Sequence, residues 1–405
     1  MVQETTVLVV GGGVTGVGVA RDLATRGVDV TLVERDGLNA GTSGRSHGVL
    51  HSGARYADTD PEGAAECIAE NRVLREVAPG CVRPTGGYFV QVVGDDPDYF
   101  DQKVSACRDC GIDVEVLDGA EARDSEPALT PDAERVAVVP DGVVYPSRLV
   151  AATAADARDH GAAVHTHAPV EELLTDGDTV VGALVDGLGR VHADHVVNAT
   201  GAWADDLAAT VGIDLEMHPT KGAMVTVESP QLDTVINRCR PTDDGDIVVP
   251  HGRTAVLGTT SVEVEDPASF PQEDWEVERV TEECAAMVPD VADAPVECAY
   301  WGVRPLYSPE SYGEDARGIS RGFYLLDHAA RDDVRGLTTI VGGKLTTHRL
   351  MAEATADHVT ERLGVDAACR TAETLLPAQG NLDRLDALVD EFDAGGPADA
   401  DVVGR

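Results

Sequence analysis

Lysine is almost missing from this 405-residue chain: Lys103, Lys221 and Lys344 are the only three. With 31 Lys+Arg against 72 Asp+Glu the formal net charge is −41. A nucleic-acid partner is therefore disfavoured, because phosphate backbones bind through neutralising cations. No acidic block accounts for the imbalance; the acids are dispersed through every segment, as on a solvated face. Such dispersion fits a high-salt cytoplasm, where screening removes the self-repulsion, with an ordinary acidic surface as the alternative. No apolar stretch approaches the ~18 residues of a membrane span, and there is no basic leader region. The expected location is the cytosolic side, with any contact to the inner face of the membrane made through partners. The eight cysteines are scattered, and only Cys107-Arg-Asp-Cys110 has a suggestive spacing. Without a second pair or a nearby histidine it reads as helix packing, and no metal is expected. Repeats and low-complexity tracts are absent as well. The length leaves room for two or three domains.

What is present is organised around Thr6-Val-Leu-Val-Val-Gly-Gly-Gly-Val-Thr-Gly16. Four apolar residues, Val7 to Val10, predict a buried strand, and Gly11-x-Gly13-x-x-Gly16 follows at once. A helix-like segment runs to about Arg26, then a second apolar run, Val28 to Val33, ends on Glu34. A dinucleotide site needs this order: glycines for a tight turn, for close approach of the backbone to a diphosphate, and for helix–strand packing. The helix N-terminus faces the diphosphate, and Glu34 can accept hydrogen bonds from a ribose.

Further along, Asp60-Pro61-Glu62 starts a helix that reaches about Ala78. Strands are predicted over 86–93, 222–228, 246–250, 254–259 and 296–302, and helices over 98–110, 146–160 and near 274–288. Several short strands form a meander between 163 and 198. Thr338 to His348 repeats the strand, glycine turn, helix logic of the opening, with a helix to Leu363. The last forty residues are acidic and read as a loosely packed helix plus tail. Cofactor-type segments at the start, middle and end imply interleaved domains. The expected fold class is α/β, with a Rossmann-like cofactor-binding domain (1–78, 146–213 and 321–365) and a strand-rich α+β substrate or cap domain (79–145 and 214–320). Residues 366–405 form the tail.

Taken together, Val9 to Gly16, Arg45-Ser-His-Gly-Val-Leu-His-Ser-Gly-Ala-Arg-Tyr56, Pro219-Thr-Lys-Gly222, Ile236-Asn-Arg-Cys-Arg240, Gly258-Thr-Thr260, Gly302-Val-Arg-Pro-Leu306, Leu326-Asp-His328 and Gly342-Gly-Lys-Leu-Thr-Thr347 resemble the FAD-dependent glycerol-3-phosphate dehydrogenases. The likeness is greatest to the large catalytic (A) subunit of the anaerobic three-subunit type and covers residues 1 to about 365. It implies a D-amino-acid oxidase-like fold, FAD as cofactor, and oxidation of sn-glycerol 3-phosphate to dihydroxyacetone phosphate. Electrons would pass to quinone through iron–sulfur and membrane-anchor partner subunits. With the acidity, a haloarchaeal source is expected. That large subunit continues into a cysteine-rich C-terminal region, so residues 366–405 are expected to begin a truncated one.

The resemblance also assigns residues. Gly11, Gly13, Val14, Thr15 and Gly16 are expected at the diphosphate, Glu34 and Arg35 at the adenosine end, and Val170 at adenine. Thr42, Ser43, Ser46, His47 and Gly48 form a polar loop beside the flavin, and Ala199 and Gly201 allow close approach. Gly342, Gly343, Leu345 and Thr346 form a second helix start whose N–H groups can stabilise negative charge on reduced flavin. Arg55, Arg304, Arg321 and Lys344 are the expected phosphate ligands, with Tyr56, Thr259 and Thr260 beside them. The proposed catalytic set is His51, Arg304 and Lys344, with His51 as base or as an orienting group; His328 and His348 are alternatives. Two competing functions stand beside this one: an amine or amino-acid oxidase of the same fold, and a non-catalytic flavin-bearing electron-transfer subunit.

Overall fold

A computed structural model describes residues 3–229, 231–309, 319, 321–397 and 399. The opening strand, β1 (Gln3–Val10), lies inside an eight-stranded sheet, where Val7, Leu8 and Val9 are wholly buried. Strands covered on both faces read as unbroken apolar runs, and burying each such side chain stabilises by about 1.5–3 kcal/mol. β1 pairs in parallel with β2 (Val30–Val33) on one side and with the strand Gly189–Asn198 on the other. β2 pairs in turn with Ala163–His165. On its outer side Gly189–Asn198 pairs first with the meander strand Thr179–Val185 and then, in parallel, with Leu337–Gly342. The helix α1 (Val14–Thr25) follows the first glycine turn. It is rich in Gly, Ala and Val because it packs between the helices Pro146–Asp159 and His348–Leu363.

The chain leaves this sheet twice and builds a second, nine-stranded sheet from two separated stretches. The first supplies Gly87–Val92, Glu115–Asp118 and Ala133–Val139; the second supplies the strands between Met217 and Tyr307. Pairing is antiparallel except where Gly87–Val92 meets Val235–Arg238 in parallel, which joins the two stretches. The helix Asp274–Ala285 covers one face of this sheet through Val280 and Cys284. The long strands Met217–Glu228 and Val296–Tyr307 pair along most of their length and carry Pro219 to Gly222 opposite Gly302 to Pro305.

The acidic C-terminal stretch differs from its expected loose packing. Leu376, Leu385, Leu388, Val389, Phe392 and Ala394 belong to the same core as β1 and α1. The helix Leu382–Glu391 lies on Pro146–Asp159, where Arg148 pairs with Asp386 through two bonds of 2.7 and 3.0 Å. Leu38 N–H donates to the Phe392 carbonyl at 3.1 Å. Leu385, Leu388, Val389 and Phe392 repeat at helical spacing, a signal obscured by the surrounding acids. Strands Glu115–Asp118 and Ala133–Val139 also form where none was predicted. Of the two suggestive cysteines, Cys107 is buried on the helix Pro97–Asp109 and packs against Ala54. Cys110 caps the C-terminal end of that helix and lies near the carbonyls of Ala57 and Pro61. Among the described residues no helix is long and apolar enough to cross a membrane.

Candidate active site

A cleft of about 460 Å³ opens at the carboxyl ends of β1, β2 and the strand Gly189–Asn198. In open α/β sheets ligands bind at this end. Its floor is the first glycine turn. Gly11 takes φ +115°, and a Cβ there would lie 2.4 Å from the Ala199 carbonyl oxygen. Ser43 Oγ accepts from the Val14 N–H at 3.0 Å, so the polar loop is fastened to the start of α1. Glu34 directly follows β2 and braces the turn: its Oε2 accepts from Gly12 N–H at 2.6 Å and its Oε1 from Asp36 N–H at 3.1 Å. At the same end the Arg35 guanidinium lies 4.1 Å over the Trp203 ring. At the other end Gly342 and Gly343, both with φ above +70°, carry the chain past Lys344 and Leu345.

Around that second glycine turn the polar groups change from backbone to cationic side chains. Lys344 Nζ donates to the Arg321 carbonyl at 2.9 Å, lies 4.7 Å above the Tyr56 ring and is 3.8 Å from Asp60 Oδ2. Arg55 reaches Asn237 Oδ1 at 3.5 Å and Asp246 Oδ2 at 3.6 Å. Arg304 donates to Thr259 Oγ1 at 3.2 Å, to the Thr260 carbonyl at 3.1 Å and to the Lys221 carbonyl at 3.4 Å. Buried His51 lies 5.5 Å from the Tyr56 ring and 5.8 Å from the His47 ring, edge-on to both. Its backbone is fixed at both ends: its N–H donates to Thr346 Oγ1 at 3.1 Å, and its carbonyl accepts from Asn71 Nδ2 at 3.2 Å.

The electrostatics report the same convergence. Burial holds the His47 imidazole down at about 3, and the charges of Arg55 and Arg304 push the same way. Burial, then His47, Arg55 and Lys344, hold His51 well below the ordinary histidine range. Burial thus favours the neutral form of both rings, with Arg55 acting on both, Arg304 on His47 and Lys344 on His51. Such a pocket favours a dianion, and a neutral imidazole beside it can accept a proton.

The family model described as FAD dependent oxidoreductase matches residues 6–349. The chain is 51% identical to the A1 subunit of the anaerobic glycerol-3-phosphate dehydrogenase of Haloferax volcanii, over 98% of this chain and 70% of that protein. The chain belongs to the FAD-dependent oxidoreductases, in the branch of these dehydrogenase subunits. The corresponding anaerobic glycerol-3-phosphate dehydrogenase protein of Escherichia coli K12 is 42% identical over 93% of this chain and 70% of its own length. Among solved structures, Geobacillus kaustophilus glycine oxidase superposes with TM-score 0.74 at 26% identity, over 92% of this chain and 98% of that one. Bacillus halodurans glycerol-3-phosphate dehydrogenase complexed with FAD superposes with TM-score 0.73 at 24% identity, over 99% and 77%. The fold is thus the D-amino-acid oxidase type, and FAD is the cofactor. The Haloferax relative agrees with the high-salt reading of the acidic surface.

The residues of the cleft fit FAD. The Trp203 indole N–H lies in its wall, buried and without a hydrogen-bond partner, as expected of a donor awaiting a polar ligand. Gly11, Gly13, Val14, Thr15, Glu34, Arg35, Thr42, Ser43, Ser46, Val170, Ala199, Gly201, Gly342, Gly343, Lys344 and Leu345 all line it. Gly16 does not. It is buried in α1, where a Cβ would meet the Gly11 carbonyl oxygen at 1.9 Å, so its task is packing the turn. His47, Gly48 and Thr346 also lie outside the cleft wall. The His47 carbonyl accepts from His251 Nε2 at 3.0 Å if that nitrogen carries the proton, Gly48 turns at φ +73°, and Thr346 holds His51. The expected second helix start is a short 3-10 turn, Leu345–Thr347, and the α-helix proper begins at His348.

On the substrate side, Thr260 is misread as a ligand: its hydroxyl is wholly buried and donates to Glu276 Oε1 at 2.7 Å. The alternative histidines are elsewhere. His328 is held between Asp332 and Thr339, at 2.6 and 2.7 Å, and His348 faces the Leu345 carbonyl. The sequence reading missed Trp203, although it follows Ala199-Thr-Gly-Ala directly. It also missed Asp60, Asn237 and Asp246, whose partners are distant in the chain. Lys221 carried an available signal, being one of three lysines and inside Pro219-Thr-Lys-Gly222.

Proposed function

We propose that this chain oxidises sn-glycerol 3-phosphate to dihydroxyacetone phosphate. Bound FAD supplies the acceptor for the hydride. The phosphate dianion is held by Arg55, Arg304 and Lys344, with Arg321 and Tyr56 beside them and the Thr259 hydroxyl helping to aim Arg304. His51 orients the secondary hydroxyl and accepts its proton. Burial, and then the surrounding charges, depress the basicity of His51; a dianion among the cations offsets their part and strengthens the base when substrate is present. The single observation that carries this reading is the cationic surrounding of the paired buried histidines, with Arg55 acting on both, Arg304 on His47 and Lys344 on His51, next to the flavin-side glycine turn. One arginine suffices for a carboxylate, whereas three cations suit a phosphate.

The relatives' designation as lettered subunits supports a multisubunit assembly. In this reading electrons leave through iron–sulfur and membrane-anchor subunits to quinone, and the chain is cytoplasmic, held peripherally on the membrane by those subunits. Steady-state dye reduction by the chain alone tests the substrate. Turnover with glycerol 3-phosphate should exceed that with glycerol by more than about a hundredfold, since the phosphate bonds together contribute at least about 3 kcal/mol. Equal rates with glycerol, or preference for glycine or another amine, would reject it. Soluble quinone should be reduced slowly until partner subunits are added.

A further inference from the structure

Behind Arg304 lies a buried ion pair. Glu276, on the helix Asp274–Ala285, is wholly buried, and its Oε2 accepts from Lys221 Nζ at 2.7 Å and Trp301 Nε1 at 3.0 Å. Its Oε1 accepts from the Thr260 hydroxyl at 2.7 Å, which itself accepts from Ala223 N–H at 2.9 Å. Lys221 is equally buried, and its ammonium also donates to the Pro271 carbonyl at 2.6 Å. A buried pair of this kind is poor evidence for stability, because desolvation offsets the attraction. Its geometry has another consequence. Of the three residues whose side chains Glu276 holds, two, Lys221 and Thr260, are those whose carbonyl oxygens hold the Arg304 guanidinium, at 3.4 and 3.1 Å. Gly222 keeps the space open: a Cβ there would lie 2.7 Å from Arg304 Nη2.

We propose that Glu276 is a positioning residue for substrate binding, fixing Arg304 through Lys221 and Thr260. This rests on the glycerol 3-phosphate reading given above. The carboxylate draws together its own helix, the strands Met217–Glu228 and Val296–Tyr307 and the loop carrying Thr260, so the guanidinium meets the phosphate already oriented and less order is lost on binding.

The test compares Glu276→Gln, Thr260→Val and Thr260→Ser, in the FAD-loaded chain. KM for glycerol 3-phosphate is measured by dye reduction, and Kd for inorganic phosphate by the change in flavin absorbance. In Glu276→Gln and Thr260→Val both constants should rise about tenfold, the effect of one lost positioning bond. Their kcat should stay within about twofold and FAD content should be unchanged, the signature of lost uniform binding. Thr260→Ser keeps the hydroxyl and should restore wild-type values. A role in stability alone would lower Tm and leave KM and Kd where they were, and that result would overturn the proposal. If Glu276→Gln does not fold, the two Thr260 variants decide it. A wild type that binds inorganic phosphate but does not turn over glycerol 3-phosphate rejects the functional reading, and the Kd comparison then decides this inference alone. A wild type that binds no phosphate overturns both.

Discussion

The flavin cleft and the proposed phosphate end of the site meet at Gly342 to Leu345, yet they are made of different materials. The cleft is largely backbone: the Gly11 to Gly13 turn, the start of α1, the Ala199 to Gly201 turn and the paired glycines at 342 and 343. The phosphate end is side chains, Arg55, Arg304 and Lys344, each held by residues far away in the chain. The difference shows where tolerance lies. A backbone cradle fails when any atom is added to it, whereas a side-chain cluster fails when a charge is removed.

The largest expected effect follows from the first half of that contrast. In Gly16→Ala a methyl group meets the Gly11 carbonyl oxygen, with backbone on both sides of the clash. Overpacking of flexible groups costs about 1–3 kcal/mol, and this site should reach about 3 kcal/mol or more. Flavin absorbance per polypeptide should fall to a small fraction of wild type, while Gly380→Ala, with open space around it, should keep its flavin. Full FAD content in Gly16→Ala would break the account of the cradle. Next in size, Arg304→Ala should lower kcat/KM for glycerol 3-phosphate by roughly thirty- to a thousand-fold, or about 2–4 kcal/mol, with flavin content unchanged. A variant that loses flavin but keeps kcat/KM would reverse the roles assigned to the two halves.

How far each half can be read from sequence follows from the same contrast. Gly11, Gly13, Glu34 and Gly342 can be placed at the cleft from sequence because each lies within a few residues of a strand end, whereas the contact of Glu34 seen here is to the Gly12 and Asp36 N–H groups rather than to a ribose. Gly16 was legible as a motif member, though its task is packing rather than contact. Arg55, Arg304 and Lys344 could be named only by family resemblance, since nothing near them in the chain states which face of the second sheet they occupy. Thr260 was misread for that reason, because its hydroxyl is directed by Glu276 on another element. Trp203 carries no local signal for a site, because an indole after a glycine turn is as easily explained by core packing. The C-terminal helix reads as loose because acids are interspersed among its apolar residues, and only the spacing of the latter reveals the buried face.

A smaller effect probes the buried histidines. Burial holds His195 down at about 4, against about 6.5 in an unfolded chain. Above pH 6.5 neither state is protonated, and the neutral ring contributes its full stability. Between about 6.5 and 4 the unfolded chain takes up a proton that the folded chain refuses, so stability falls with pH. One such group gives a slope of up to about 1.4 kcal/mol per pH unit. Asp141, Asp246 and Glu70, raised by burial, act in the opposite direction near the acid end. The effect is therefore read as a difference: His195→Gln should unfold with a shallower pH slope than wild type over this window. Identical slopes would mean that the histidine is not held neutral. Smallest per group is the surface charge. With a net charge of −41, raising KCl from 0.1 to 1 M shortens the Debye length from about 10 to about 3 Å and should raise Tm. A flat or falling series rejects the high-salt reading and leaves both halves of the site untouched.

The most direct test of the central claim is anaerobic addition of sn-glycerol 3-phosphate to the purified, FAD-loaded chain, followed by flavin absorbance. The account predicts stoichiometric bleaching by glycerol 3-phosphate, with dihydroxyacetone phosphate formed in equal amount, and no bleaching by glycerol, inorganic phosphate or glycine at the same concentration. A flavin that stays oxidised with glycerol 3-phosphate and bleaches with an amine or amino acid would contradict it.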